Sequence, residues 1–348
     1  MRKAVPRWRN LWGKQLIAFK NMDNKNILIL SAGRRVELVQ RFKRAAQKLN
    51  IESVIVAADI SVTAPAIYFA DKHYIIPKIS EDGYISSLID ICLKENISLI
   101  VPTIDTELLK LSENKKYIES KTKARVHISD KKIIDICRNK NNTQRFFEEY
   151  GFGVPKLLTK EDIDSGNYVL PLFMKPKDGS SSINTFKINT KEELDFFKTY
   201  IKEPMIQEFM SGTEYSVDVF CDFDSNPITI VPRIRLAVRG GEILKGQIDK
   251  NREIIDDVKR LVKILKPIGH ITIQCMKTKK GIEYIEINPR FGGGAPMSID
   301  AGADSCENLY RLLNGDKLEY NENYIDKAIF MRFDNSIMLQ SNSGELDD

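Results

Sequence analysis

The segment GIEYIEINPRFGGGAP, residues 281–296, places an apolar run directly before a carboxylate, an amide, a guanidinium and three glycines. Side chains alternate between two faces along a strand, so Glu286, Asn288 and Arg290 point to the same side. Glycines let the backbone approach another group closely, and we expect that group to be a ligand. The segment therefore predicts a strand that ends in a polar site.

A second strand supplies a further oxygen donor. HITIQCMKT (270–278) contains Gln274 and is expected to pair with the first strand in a hairpin. One carboxylate and two amide oxygens, from Glu286, Asn288 and Gln274, are ligands that suit Mg²⁺ together with substrate phosphates. Arg290 can then meet the charge that develops on a transferring phosphoryl group. The alternative is an ordinary β-hairpin with a polar end and a glycine-rich turn.

The first third of the chain alternates between strands and helices. Apolar runs without alternation predict buried strands at 26–30, 53–59 and 97–105, and helical spacing predicts helices within 31–49 and at 84–96. This order is typical of parallel βαβ units with helices on both faces of the sheet. We therefore expect a small Rossmann-like α/β domain from residue 26 to about 130.

A strand-to-helix turn in this domain is a candidate substrate contact. Ser31-Ala32-Gly33 follows the first strand, and such a turn can hold an anion on free backbone N–H groups. Gly33 and Arg34 are the candidate residues, and the alternative is a tight turn without a ligand. Asp59 ends the next strand, where a dinucleotide domain keeps its ribose-binding acid. A nicotinamide cofactor is disfavoured because the GxGxxG pattern is missing from this turn.

The rest of the chain predicts antiparallel strands beside helices, an α+β arrangement. Helices are expected at 130–150 and 252–265, and strands at 171–176, within 205–220, in a hairpin at 228–244, and in the two strands described above.

Several of these stretches, in this order, resemble the ATP-grasp superfamily, and within it the carbamoyl-phosphate-synthetase-like branch. They are DKHYIIPK and the residues that follow it (71–111), NKNNT (139–143), FMKP (173–176), IQEFMSGTEYSVDV (206–219) and EINPRFGGG (286–294). The resemblance covers about residues 26–335. It implies a Rossmann-like pre-ATP-grasp domain (26–130) followed by a two-lobed ATP-grasp domain (131–335), whose central lobe spans about 155–210.

The resemblance also implies which residues bind the phosphates of ATP. Lys140 matches the family's first ATP lysine, and Lys175 matches the second, which reaches the α- and β-phosphates. DGSSSIN (178–184) fits the loop that closes over the phosphates, with Ser180 and Ser181 as donors. We expect this loop to order when MgATP binds and to exclude water.

Four further residues are implied at the nucleoside. Gln207 stands where the family usually has an acid for the adenine amino group, and Glu208 and Met210 lie beside it at the adenine. Glu214 fits the ribose hydroxyls.

The implied reaction is that of an ATP-dependent carboxylate–amine ligase with Mg²⁺, or Mn²⁺ in its place. ATP converts a carboxylate into an acyl phosphate, and an amine then displaces phosphate. Lys175 and Arg290 are the implied catalytic residues. Gln274 matches the glutamine variant of the first metal position. Arg233 and Arg235 alternate on a strand and are candidates to clamp the substrate carboxylate.

Two other functions stay open. One is bicarbonate activation, as in carbamoyl-phosphate synthesis, although the chain is too short for the duplicated synthetase halves. The other is a nucleotide-binding protein without catalysis, which the presence of Gln274, Glu286, Asn288 and Arg290 disfavours.

Charge distribution gives the remaining expectations. The 348 residues carry 53 Lys and Arg against 48 Asp and Glu, but six basic residues precede the first acid, Asp23. Residues 22–348 have a net charge of −1, which predicts no nucleic-acid partner. Residues 1–25 are expected to be a basic leader without a packing partner, with a targeting or membrane-surface role as the alternative, and residues 336–348 a tail. Five scattered cysteines predict a cytoplasmic protein with reduced thiols, and the lack of a long apolar run predicts no stable membrane insertion. The resemblance implies small-molecule carboxylate and amine substrates, and a homodimer is a further expectation.

Overall fold

The N-terminal domain contains a five-stranded parallel sheet. This computed structural model describes residues 25–177 and 183–339. The strand order is β3-β2-β1-β4-β5, and every neighbouring pair is parallel. The strands are β1 (Asn26–Leu30), β2 (Ile55–Asp59), β3 (Lys72–Ile75), β4 (Ile97–Pro102) and β5 (Arg125–Val126), and the helices between them are α1 (Val36–Leu49), α2 (Gly83–Lys94) and α3 (Leu108–Lys121). The predicted Rossmann-like α/β fold is confirmed.

Alternate residues of β1 supply two separate cores, which is why the strand reads as a continuous apolar run. Ile27 and Ile29 pack with α1, whereas Leu28 and Leu30 pack against α2 and α3. All four side chains are fully buried, as expected for a sheet that is covered on both faces.

Helix α1 joins the first domain to the second. Phe42, on its buried face, makes edge-to-face contacts with Phe291 and Tyr310, whose ring centroids lie 6.1 and 6.2 Å away. Arg41 on the same helix is ion-paired with Asp300. Aromatic burial and charge pairing therefore hold the two domains together.

Two helices lead into a small lobe with its own core. They are α4 (Lys131–Arg138) and α5 (Lys140–Glu149). The lobe has a three-stranded antiparallel sheet in the order β7-β6-β8, covered by two short helices. Its elements are α6 (Lys160–Asp164), β6 (Leu172–Pro176), β7 (Phe186–Ile188), α7 (Lys191–Tyr200) and β8 (Pro204–Glu208).

The second lobe is built on a six-stranded antiparallel sheet in the order β13-β12-β9-β10-β11-β14. The strands are β9 (Gly212–Cys221), β10 (Pro227–Arg239), β11 (Glu242–Ile248), β12 (Gly269–Thr278), β13 (Gly281–Asn288) and β14 (Ile329–Met331), and the helices are α8 (Arg252–Leu265), α9 (Ala295–Asp300) and α10 (Ser305–Leu313). Helix α8 buries the predicted Ile255, Val258, Val262 and Leu265 against this sheet. The predicted α+β arrangement is confirmed.

Across residues 25–177 and 183–339, the helices fall short of the length and apolar content that crossing a bilayer requires.

Candidate nucleotide and metal site

The candidate metal ligands lie together on neighbouring strands. Gln274 of β12 is directly opposite Glu286 of β13. Asn288 Nδ2 donates a hydrogen bond of 2.8 Å to Glu286 Oε1, so both side chains point to one side of β13, as predicted. The register between the two strands shifts just beyond this pair, after Gln274. Such irregularities re-aim side chains and are common next to active sites.

Two lysines from separate elements lie near each other, and one of them, Lys175, is influenced by the charge of Glu286. Lys175, on β6, is half-buried, and burial together with the nearby charge of Lys140 lowers its pKa to about 8, while Glu286 opposes the shift. Lys140 begins α5 and donates from Nζ to the carbonyl of Pro176 at 3.0 Å. Lys175 of the small lobe therefore has two charged neighbours, Lys140 of helix α5 and Glu286 of the large sheet.

The candidate nucleoside contacts line the join between the two lobes. Gln207 is buried on β8, opposite Phe173 of β6, and Met210 lies in the connection to β9. Glu208 pairs with Lys280 at 2.6 Å. Glu214 Oε1 lies 2.9 Å from Arg235 Nε. Their roles at adenine and ribose stay predictions, as do those of the metal and phosphate ligands.

Arg290 extends from the end of β13 toward the first domain. Its Nη2 donates to Asp105 Oδ2 at 2.7 Å, and both side chains are largely buried. Its Nε is also buried and has no hydrogen-bond partner within residues 25–177 and 183–339. The guanidinium therefore keeps an unused donor at the predicted phosphoryl-transfer site.

The glycine-rich turn packs against the protein itself, which corrects our expectation that its glycines make room for a ligand. A Cβ added to Gly292 would lie 2.5 Å from Thr272 Oγ1. A Cβ on Gly294 would lie 2.6 Å from Arg233 Nη1. The side chains of β10 and β12 fill the space that larger residues would need.

Two candidate substrate arginines are engaged by acids. Arg233 is fully buried, with its Nε and Nη2 each 2.9 Å from Asp218 Oδ2. Arg235 donates to Ser216 Oγ and to the carbonyl of Gly241, in addition to its pairing with the ribose candidate described above. Arg233 is therefore enclosed in the fold, and a direct contact between it and a substrate is not supported by this geometry.

The turn after β1 is hydrogen-bonded to Asp59, at the end of β2. Gly33 N–H donates to Asp59 Oδ2 at 2.7 Å, and Ala32 N–H donates to the carbonyl of Ala58. The expectation of free N–H groups is therefore corrected, and Asp59 completes the turn. Arg34 is exposed, and a substrate contact of Gly33 or Arg34 stays a prediction.

The predicted phosphate loop falls mainly outside the described residues. Ser180 and Ser181 belong to residues 178–182, of which the structure describes nothing, and the same holds for residues 1–24 and 340–348.

Sequence reasoning missed the charged residues of the first domain that face the site. Arg35 pairs with Glu242 of β11 at 3.1 Å, and Asp105 pairs with Arg290. Nearby, Glu107 is fully buried and accepts hydrogen bonds from Ser31 and Tyr84, and burial raises its pKa to about 7. The only available signal was their position after strands of a parallel sheet, where α/β folds place ligands.

Two family models match the chain. Residues 27–126 match the PylC-like N-terminal domain, and residues 137–294 match the ATP-grasp domain. The chain therefore contains an ATP-grasp domain that follows a PylC-like N-terminal domain, and the predicted resemblance is confirmed.

Individual relatives agree with this classification. The chain is 26% identical over 304 residues to carbamoyl-phosphate synthase from Methanobrevibacter smithii, with 78% of this chain and 79% of that enzyme covered. It is 25% identical over 194 residues to D-alanine–D-alanine ligase B from Clostridium perfringens, covering 49% of this chain and 63% of the ligase. The match thus spans less than two thirds of that ligase.

A solved structure has a similar fold. The biotin carboxylase domain of 2-oxoglutarate carboxylase from Hydrogenobacter thermophilus superimposes with a TM-score of 0.68 at 19% identity, covering 88% of this chain and 73% of that one. That structure contains MgADP and bicarbonate. The predicted cofactors, ATP and Mg²⁺, agree with the ATP-grasp domain and with this neighbour.

Proposed function

We propose that this chain is an ATP-dependent carboxylate–amine ligase. The observations that carry the proposal are the hydrogen bond from Lys140 to the carbonyl of Pro176, next to Lys175, and the oxygen donors of Gln274, Glu286 and Asn288 on paired strands of an ATP-grasp domain. A half-buried lysine with a lowered pKa is held there at a cost in solvation, which anionic phosphates would offset.

The lysines would bind the phosphates of ATP. Lys175 is mostly protonated at neutral pH, because its pKa is about 8. As a compact point charge on a strand it can neutralise phosphate oxygens as the terminal phosphate is transferred. Lys140 adds a second charge from the start of α5.

The donor set of β12 and β13 fits a hard divalent cation. Glu286 offers a carboxylate, and Gln274 and Asn288 offer amide oxygens, with phosphate oxygens and water to complete the shell. Mg²⁺, or Mn²⁺ in its place, would neutralise charge on the phosphates when bound. The hydrogen bond between Asn288 and Glu286 fixes the carboxylate before a cation binds.

The nucleoside would lie between the lobes. Gln207 and Glu208 on β8 and Met210 after it would contact the adenine, and Glu214 on β9 would accept from the ribose hydroxyls. The ion pair with Arg235 would orient the carboxylate of Glu214 for that contact.

The reaction would proceed in two displacements. A substrate carboxylate oxygen attacks the terminal phosphorus of ATP, ADP leaves, and an acyl phosphate forms. An amine then attacks the acyl carbon and phosphate leaves, so an amide bond replaces the anhydride. Arg290, at the end of β13, would stabilise the charge of the transferring phosphoryl group through its unused Nε–H.

The test is a screen of amino acids and sugar acids, each with candidate amines, for phosphate release from MgATP. Mass spectrometry must show an amide product in step with ADP, and Glu286→Gln serves as the inactive control. Phosphate release that needs bicarbonate alone would favour a carbamoyl-phosphate-synthase-like reaction. ADP binding without turnover on any carboxylate would favour a non-catalytic nucleotide-binding protein and overturn the proposal.

Further predictions accompany this function, on the partners, the cellular location, the assembly and the domain boundaries. The partners would be small-molecule carboxylates and amines, and the enzyme would act in the cytoplasm as a homodimer. The domain boundaries follow the sequence: 26–130 for the first domain and 131–335 for the ATP-grasp domain, with a central lobe at about 155–210.

A further inference from the structure

Two reciprocal ion pairs face each other across the domain boundary. Arg35 of the first domain pairs with Glu242 of the second at 3.1 Å. Arg290 of the second domain pairs with Asp105 of the first at 2.7 Å. Each arginine is thus neutralised by an acid from the opposite domain, and the two pairs border the end of the candidate metal strand.

The guanidinium of Arg35 lies beside the glycine-rich turn that follows Arg290. Burial lowers the pKa of Arg35, Glu242 opposes this, and the positive charge of Arg290 lowers it further. A Cβ added to Gly293, three residues after Arg290, would lie 2.7 Å from Arg35 Nη1. Like charges repel each other, and an anion between them relieves the repulsion.

The acid on Arg35 has a second partner. Arg332 lies 3.3 Å from Glu242 Oε2. Glu242 therefore keeps one cationic neighbour if Arg35 binds another anion. The free-energy cost of breaking the pair between Arg35 and Glu242 is reduced for that reason. Arg35 is also largely buried, so an anion there is screened little by solvent.

The geometry points to Arg35 as a further substrate-binding residue. Arg35 and Arg290 together hold the carboxylate of the substrate between the two domains. The ion pair between Arg35 and Glu242 breaks when that carboxylate binds. This inference rests on the proposed function, because it places the carboxylate beside the residue expected to meet the transferring phosphoryl group. Planar guanidinium groups suit such a task, since each can donate two parallel hydrogen bonds to a carboxylate.

The experiment measures binding of acetate to the full chain saturated with MgADP, by calorimetry at constant ionic strength, with acetamide as the uncharged match. Arg35→Gln should weaken acetate binding by at least about tenfold. Glu242→Gln should strengthen acetate binding, because acetate then no longer has to displace the carboxylate of Glu242 from Arg35. Acetamide should show neither effect.

The matched control is Arg41→Gln. Arg41 also lies at α1, has similar exposure to Arg35 (16% against 18%) and pairs across the domain boundary with a different acid, Asp300. It should bind acetate as the wild type does. If Arg35→Gln destabilises the chain, the double variant Arg35→Gln/Glu242→Gln removes both charges and should still bind acetate weakly.

The outcomes separate this inference from the proposed function. Equal acetate binding by the wild type and Arg35→Gln, or none by the wild type, overturns the role of Arg35. Acetate binding that depends on Arg35, without phosphate release on any carboxylate, supports the anion site and overturns the ligase. Once a substrate is known, Arg35→Gln should raise its KM and leave the KM for ATP unchanged.

Discussion

Arg233 and Asp218 form an ion pair inside the large sheet, with 1% and 2% of their side chains exposed. Thr272 and Ser298 donate to the same carboxylate at 3.0 and 2.5 Å. Arg233 in turn fills the space beside Gly294. The pair therefore fixes the glycine-rich turn that follows the candidate metal strand. Arg233, which was expected to bind substrate, instead has a structural role beside the site.

Asp218→Asn should strongly destabilise the protein, because it leaves Arg233 buried without a counter-ion. We expect the free energy of unfolding to fall by about 3–5 kcal/mol in urea titrations. The matched control is Asp334→Asn, which breaks the exposed pair with Arg239 and should leave stability unchanged within error.

The cost of Asp218→Asn should depend on pH. Burial alone would raise the pKa of Asp218, but Arg233 and His270 outweigh it and hold that pKa well below its usual range. A carboxylate with a depressed pKa contributes stability above its unfolded pKa of about 4 and loses it as the pH falls. The difference between wild type and variant should therefore be full at pH 7 and shrink under acid. A constant difference would contradict this assignment.

Glu286→Gln and Asn288→Asp should behave differently in the ligase assay. Removing the carboxylate should lower turnover at least about a hundredfold without unfolding the chain, because the proposed cation site loses the negative charge of its donor set. Asn288→Asp adds a charge and should keep partial activity. Glu253→Gln, at an exposed site on α8, is the control. Full activity in Glu286→Gln would remove the metal assignment.

ADP affinity should fall as the pH rises through about 8, because Lys175 loses its charge there. The charge of Lys140 contributes to the lowered pKa, so Lys140→Gln should move this midpoint to higher pH. Lys160→Gln, on the surface of the small lobe, should leave it in place. Calorimetric titrations between pH 7 and 9 give the midpoint. An unchanged midpoint in Lys140→Gln would mean that the two lysines do not share a site.

Gly294→Ala should destabilise the protein although its backbone suits any residue. The added Cβ would lie 2.6 Å from Arg233 Nη1 and 2.7 Å from Ile243 Cγ2, and overpacking of this kind costs about 1–3 kcal/mol. Gly83→Ala is the control, because its nearest neighbour is Pro77 Cγ at 3.6 Å, an ordinary contact. Thermal unfolding of both variants would test this, and equal stability would show that the turn can move.

The local pattern of apolar and polar residues was sufficient to predict the order of the strands and helices and part of the candidate site. The period-two spacing of Glu286 and Asn288 predicts that they share a face, and their hydrogen bond confirms it. The strands and helices follow from apolar runs and helical spacing, which short segments carry on their own. The same reasoning misjudged the glycine-rich turn, because the atoms that need its glycines come from β10, β12 and Arg35.

The sequence by itself determined the class of fold and the candidate metal strand, since each element is predicted by the pattern of a short segment. The family resemblance added the two ATP lysines, whose roles stay predictions. Only the tertiary structure decided which charges meet. Arg35 and Glu242 are 207 residues apart, and Arg290 and Asp105 are 185 apart. Such pairs depend on how two domains pack, and neither strand nor helix periodicity carries information over that distance. Burial then decides how strongly these charges interact. The sequence cannot show this, because an arginine is written the same way whether its guanidinium is in solvent or enclosed beside an acid.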